Sequence, residues 1–183
     1  MPKTIKVPFE EEQIKTLRSG DKVLLTGTVY TARDAAHQRM IETVETGGIM
    51  PFEVSGQVIY YVGPTPAKPS QIIGSAGPTT SSRMDKQTPK LLEMGLKGMI
   101  GKGYRSEEVK KAIVTQQAVY FGAVGGSAAL ITKSIKSVEI IAYEELGTEA
   151  IRKLEIEDFP VVVINDIYGG DLYEDGIAKY RQV

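Results

Sequence analysis

Strands that alternate with helical segments from Lys22 onward predict an α/β fold with a largely parallel or mixed sheet. Two further observations support that reading. At 183 residues the chain is long enough for one domain with a sizeable core. It also contains no internal repeat, no low-complexity tract and no linker, so a single domain is the simplest organisation.

Residues 10–17 suit one or two helical turns. Residues 22–31, rich in Val, Leu, Thr and Tyr, suit a buried strand. Thr31-Ala-Arg-Asp34 has the pattern of a capping box, with a helix following to about Thr46 and Gly47-Gly48 past its end. Residues 57–62 predict a short strand. The run at 63–69 has three prolines in six residues, which excludes a helix or a central strand. Residues 71–75 predict a strand leading into Gly74-Ser-Ala-Gly-Pro-Thr-Thr-Ser-Ser-Arg-Met-Asp85, with Ser82 as N-cap and Asp85 as its partner. Thr88 and Pro89 restart a helix that Gly95 closes. A strand at 96–102 runs into Gly101-Lys-Gly103, and Ser106 caps the next helix with Glu107 and Glu108 in its first turn. Residues 118–124 predict a strand, followed by Gly125-Gly126 and a short helix from Ser127. A strand at 138–143, a helix at 144–154, a fully apolar strand at 160–165 and a last helix at 173–180 complete the chain.

The composition excludes several functions. Net charge is −1, so no global field draws nucleic acid or an acidic membrane. Cysteine is absent, which rules out a disulfide, a thiolate nucleophile and Cys ligation of an iron–sulfur cluster by this chain. With His37 as the only histidine, a self-contained zinc site is not expected. No apolar run approaches the ~20 residues of a membrane span, and the first residues have no signal-peptide core. A cytoplasmic protein is expected.

Three cations stand at strand-to-helix junctions: Arg33, Arg83 and Lys102. In open α/β sheets such junctions gather at one crevice. Arg33 and Arg83 are each expected in a first helical turn, where the macrodipole favours acids, so an external anion would account for them. Two arginines that grip carboxylates through paired N–H groups, with a lysine beside them, suit a small polyanion such as a dicarboxylate or a phosphate ester. The bland alternative is three surface cations. Thr79 and Thr80 add hydroxyls at the same place. A threonine acts as nucleophile or base only where neighbours lower its pKa, and turn-stabilising hydroxyls are more frequent. His37, one turn after Arg33, fits a structural hydrogen-bonder. Gly101-Lys-Gly103 is no phosphate loop, since neither Ser nor Thr follows Lys102.

The stretches TGTVYTARDAAHQRM, GPTPAKPSQIIGSAGPTTSSRMD, LEMGLKGMIGKG, AVYFGAVGGSAAL and FPVVVINDIYGGDLY resemble, in order and over nearly the whole chain, the β subunit or C-terminal domain of class I fumarate hydratases and the related tartrate dehydratases. The resemblance implies one domain of this type over residues 1–183, a three-layer β/β/α swivelling fold with a mixed sheet, and a [4Fe–4S]-dependent hydro-lyase interconverting fumarate and L-malate. It implies that the cluster's cysteines sit on a partner α subunit, in an α2β2-type assembly, and that this chain ligates no metal. It matches Arg33, Arg83 and Lys102 to substrate-binding residues and Thr79 to the catalytic, substrate-contacting threonine proposed as the base. It leaves fumarate and L(+)-tartrate both open as substrates, together with a purely stabilising role for the chain.

Overall fold

The computed structural model describes residues 1–123 and 128–181, with 128–130 as backbone only. Strand β1 (Lys3–Val7) lies parallel to β2 (Lys22–Thr31), whose far end pairs with β3 (Val58–Tyr60). Then β4 (Gly98–Gly101) and β5 (Val119–Ala123) follow, all parallel. Strand β7 (Ile151–Asn165) is antiparallel to β5 along one edge and to β2 along the other. The sheet therefore closes into a barrel of five strands, β2-β3-β4-β5-β7. The first half of β7 also pairs with β6 (Ile135–Ala142).

Alternation along the strands sorts the apolar side chains into two cores. Val58, Tyr60, Phe121, Leu154 and Phe159 point into the barrel. Ile59, Tyr61, Met99 and Tyr120 point outward, against Ala36 and Met40 of α2 (Asp34–Glu45), Leu91 and Leu92 of α3 (Thr88–Glu93), and Val109 and Ile113 of α4 (Glu107–Thr115). Both faces of the short parallel strands are covered, which is why VIY and GMIG carry no charged side chain. Burial of each such side chain is worth roughly 1.5–3 kcal/mol. The remaining helices are α1 (Glu11–Lys15), α5 (Ala128–Ser134) and α6 (Leu172–Tyr180). Among the described residues no helix is long and apolar enough to cross a membrane.

The α/β expectation with a mixed sheet holds. The strand pairing describes a closed barrel with helices outside it, and does not by itself establish a three-layer β/β/α arrangement. Residues 22–31 form the expected strand, and Ser106 caps α4 by accepting from Val109 N. Three local expectations are corrected. Residues 71–75 form no strand: they belong to a loop across the barrel mouth, where Ile73 and Ala76 plug the core and Tyr60 Oη donates to Ala76 O. Gly74 is pressed so closely against Thr65 that a Cβ would collide with it, and Ser75 bonds back to Thr65 instead of to a strand. Residues 144–154 form no single helix. A 3-10 stretch (Glu144–Glu149) kinks at Gly147, φ 61°, and β7 begins at Ile151 because residues 151–156 find pairing partners in β6. Thr31 does not cap α2: its Oγ1 donates to Ala150 O and accepts from Arg152 N, tying β2 to β7. The glycines at 125–126 and the cap expected at Ser127 lie outside the described residues.

Candidate functional site

The end of β2 turns directly into α2, and Arg33 occupies the N-cap with extended backbone and no side-chain cap. It therefore stands just before the first turn that the sequence suggested, and Asp34 fills that turn, where the dipole favours an acid. Arg33 Nε lies 3.5 Å from Glu149 Oε1, and Arg33 Nη2 lies 3.8 Å from Asp34 Oδ2. Gly63 lets this guanidinium lie flat: a Cβ there would come within 2.7 Å of Arg33 Nη1. Asp34 is not a cap partner of Thr31. Its Oδ1 accepts from Arg83 Nε at 2.8 Å, so one carboxylate stands between the two arginines. Burial raises the Asp34 pKa, but its own backbone N–H and the Arg83 guanidinium outweigh this and hold it below the usual value.

Thr79 and Lys102 meet through their backbones. Thr79 N donates to Tyr61 O at 2.6 Å, Lys102 N donates to Thr79 O at 3.3 Å, and Ser81 N donates to Lys102 O at 2.9 Å. Residues 79–81 thus lie as a short strip alongside the end of β4, with Thr80 bridged to Lys102. Ser81 Oγ sits where a Cβ on Gly101 would be, 2.8 Å from Tyr120 Oη, which itself donates to Gly103 O at 2.8 Å. Burial pushes the Tyr120 phenol well up, so it stays protonated in this chain of hydroxyls. The 3-10 turn Ser81–Met84 then carries the exposed Arg83 over to Asp34. Ser82 caps nothing, because Asp85 is engaged elsewhere.

Its partner is Arg105, a residue the sequence reading passed over. The Arg105 side chain is fully buried: Nε donates to Asp85 Oδ1 at 2.7 Å, Nη2 to Thr88 Oγ1 at 2.7 Å and Nη1 to Tyr61 Oη at 3.1 Å. Asp85 Oδ2 also accepts from Ser106 N at 2.7 Å. This knot joins the 3-10 turn, α3 and the start of α4. Glu149 was missed as well, because it was expected inside a helix. The signal available for Arg105 was a lone cation immediately before the Ser106 cap.

His37 lies beneath Arg33, completely buried, with Nδ1 2.8 Å from Arg33 O and its ring edge against Tyr61. Burial lowers its pKa to about 4, so the ring is neutral with the proton on Nδ1, and Nε2 has no partner.

The structure brings all four predicted residues to one region. Asp34 links Arg33 to Arg83, the backbone links Thr79 to Lys102, and the 79–83 segment joins the two pairs. Lys102 is exposed, and neither its ammonium nor the Thr79 hydroxyl has a partner among the described residues. Three cations and a hydroxyl on these adjoining segments are the groups that an anion would engage. It offers nothing that fits an iron–sulfur cluster: the chain has no cysteine, and among the described residues no three or more of His, Asp and Glu group together as metal ligands.

Residues 3–176 match the family described as Fumarase C-terminus. Fumarate hydratase 2 of Leishmania major is 36% identical over 178 residues, 95% of this chain and 31% of that protein. The anaerobic class I fumarate hydratase of Escherichia coli K12 is 39% identical over 160 residues, 86% of this chain and 29% of that protein. The chain thus spans about a third of the length of the fumarate hydratases it matches. A putative L(+)-tartrate dehydratase subunit beta of Methanocaldococcus jannaschii is 36% identical over 171 residues, 90% of this chain and 88% of that protein. With a match from residue 3 to residue 176, the chain belongs to the fumarase C-terminal family.

Proposed function

We propose that this chain is the β subunit of a hydro-lyase interconverting fumarate and L-malate, and that it supplies half of a site completed by a cluster-bearing α subunit. The observation that carries the reading is the link of Arg33 to Arg83 through Asp34, joined by the 79–83 segment to the backbone pairing of Thr79 with Lys102. A four-carbon dicarboxylate needs a cation at each end. Arg33 orients one carboxylate. Arg83 and Lys102 hold the other and stabilise the negative charge that builds on it as the neighbouring C–H is broken. The same two cations favour the alkoxide form of Thr79, which accepts that proton and becomes the neutral hydroxyl. Asp34 keeps the paired arginines from repelling each other while leaving their outer N–H groups for substrate.

The [4Fe–4S] cluster belongs in this reading to the partner, because this chain offers it no thiolate. Departure of the hydroxyl is likewise assigned to the partner chain, and the complex to the cytoplasm. The beta-subunit relative supports two separate chains, and its name makes L(+)-tartrate the second reading. The test is an assay of the purified chain, alone and reconstituted with its α subunit, on fumarate and on L(+)-tartrate. The expected result is no turnover alone and fumarate hydration by the complex. Turnover of tartrate in preference to fumarate would select the second reading. An α subunit fully active without this chain would reduce it to a stabilising partner.

A further inference from the structure

Little freedom remains in the Arg33 backbone. Its carbonyl accepts from His37 N at 2.8 Å and lies 2.8 Å from His37 Nδ1, so the turn from β2 into α2 is pinned at this residue. The side chain is then the part to be aimed. Arg33 Nε and Glu149 Oε1 stand 3.5 Å apart. Both atoms are shut off from water, and neither has a hydrogen-bond partner among the described residues. A buried charge left alone is costly, so each of the two compensates the other.

The segment that carries Glu149 is itself fixed. Arg152 donates from Nη2 to Gly147 O at 2.9 Å, and from Nη1 to Thr148 O at 3.1 Å and Ala150 O at 3.0 Å. Gly63 admits both sides of the contact: a Cβ there would come within 2.7 Å of Arg33 Nη1 and 3.2 Å of Thr148 O. Glu145, on the same 3-10 stretch, pairs with Arg39 of α2 instead. With Glu149 at Nε and Asp34 Oδ2 3.8 Å from Nη2, acids take the Nε–Nη2 edge of the guanidinium. The Nη1–Nη2 edge is left for a carboxylate.

We infer that Glu149 is a positioning residue for Arg33: its carboxylate fixes the rotation of the guanidinium, so that the free edge faces the substrate. The inference rests on the proposed reading of Arg33 as the cation that orients one substrate carboxylate, and adds the group that aims it. Glu149 itself touches no substrate and moves no proton. Arg33 holds the carboxylate away from the C–H that breaks, so its grip is alike in the ground state and the transition state. Loosening that grip raises KM and spares kcat.

The experiment is steady-state kinetics of the reconstituted α/β complex, on whichever of fumarate and L(+)-tartrate it turns over, with the Tm of each variant to confirm folding. Glu149→Gln keeps the shape and removes the charge. Its KM is expected to rise about tenfold, the scale of one charge-assisted contact, with kcat nearly unchanged. Glu149→Asp keeps the charge and should recover part of the loss. Glu145→Gln, in the exposed acid of the same stretch, is expected to leave KM as it is. Arg33→Gln should raise KM at least as far as Glu149→Gln, and the double variant no further, since the two act through one contact. An additive rise in the double variant, or an equal rise in Glu145→Gln, would make Glu149 merely structural and overturn the inference. Wild-type KM in Glu149→Gln, beside a raised KM in Arg33→Gln, would overturn it as well and leave the shared site standing. Wild-type KM in Arg33→Gln, or a complex that turns over neither substrate, would overturn both readings.

Discussion

At the residue scale the roles of Thr79, Arg83 and His37 separate cleanly. Thr79→Val keeps the shape and removes the proton acceptor. In the reconstituted complex, with cluster content matched, we expect kcat to fall by ~10²–10⁴-fold with KM much less affected. Near-normal turnover would make Thr79 a turn residue and send the search for the base to the partner. Arg83→Lys keeps the charge but loses the planar fork that reaches Asp34 and, in the proposed function, a substrate carboxylate, so both KM and kcat should suffer; unchanged kinetics would make Arg83 a surface cation. His37 gives a prediction in pH. Its buried ring has a pKa of about 4 against the ordinary 6.5. Above 6.5 neither state holds the extra proton and the contribution to stability is complete. As the pH falls, the unfolded chain binds the proton first, so stability drops between 6.5 and about 4, by about 3 kcal/mol in all. Denaturant titrations across this range should show that slope in the wild type and a shallower one in His37→Leu. Equal slopes would mean that His37 is not buried neutral.

At the scale of elements, the site depends on two close approaches that only glycine permits. Gly63 admits the Arg33 guanidinium, and Gly101 admits Ser81 Oγ. Gly101→Ala is expected to destabilise the chain by about 1–3 kcal/mol, because Ser81 must leave Tyr120 and carry the 79–83 segment with it. Adding Ser81→Ala removes the colliding oxygen and should restore most of the loss in thermal unfolding. An unaltered Tm in the single variant would show that the strip does not lie where it is described. The strand at 22–31 and the Ser106 cap were legible because local pattern and tertiary role agree there. The errors at 71–75 and 144–154 arose where they conflict. An apolar pair in the mouth loop imitates a strand, and residues of good helix propensity at 151–154 are claimed by β6.

Across the whole molecule, stability should be concentrated where the barrel closes. Strands β2 and β7 are paired on both edges, and each links the parallel half to the antiparallel half. Amide hydrogen exchange should be slowest in these two strands and fastest in the 63–78 loop. If β7 exchanged as quickly as the loop, the closed barrel would not describe the chain in solution.

The sequence by itself determined the α/β class, the strand at 22–31 and the family, because each is written in contiguous patterns: alternation, capping residues and specific short motifs; it nominated the four residues of the candidate site. It also determined that no thiolate ligand for iron comes from this chain. Only the tertiary structure decided how those residues meet. Closure of the sheet by β7, the ion pair of Asp34 with Arg83, 49 residues away in the chain, the approach of Glu149 to Arg33 and the burial of Arg105 under the 3-10 turn all depend on long-range pairing. Such contacts leave no local trace, since a carboxylate that neutralises a distant guanidinium looks, along the chain, like any other surface acid.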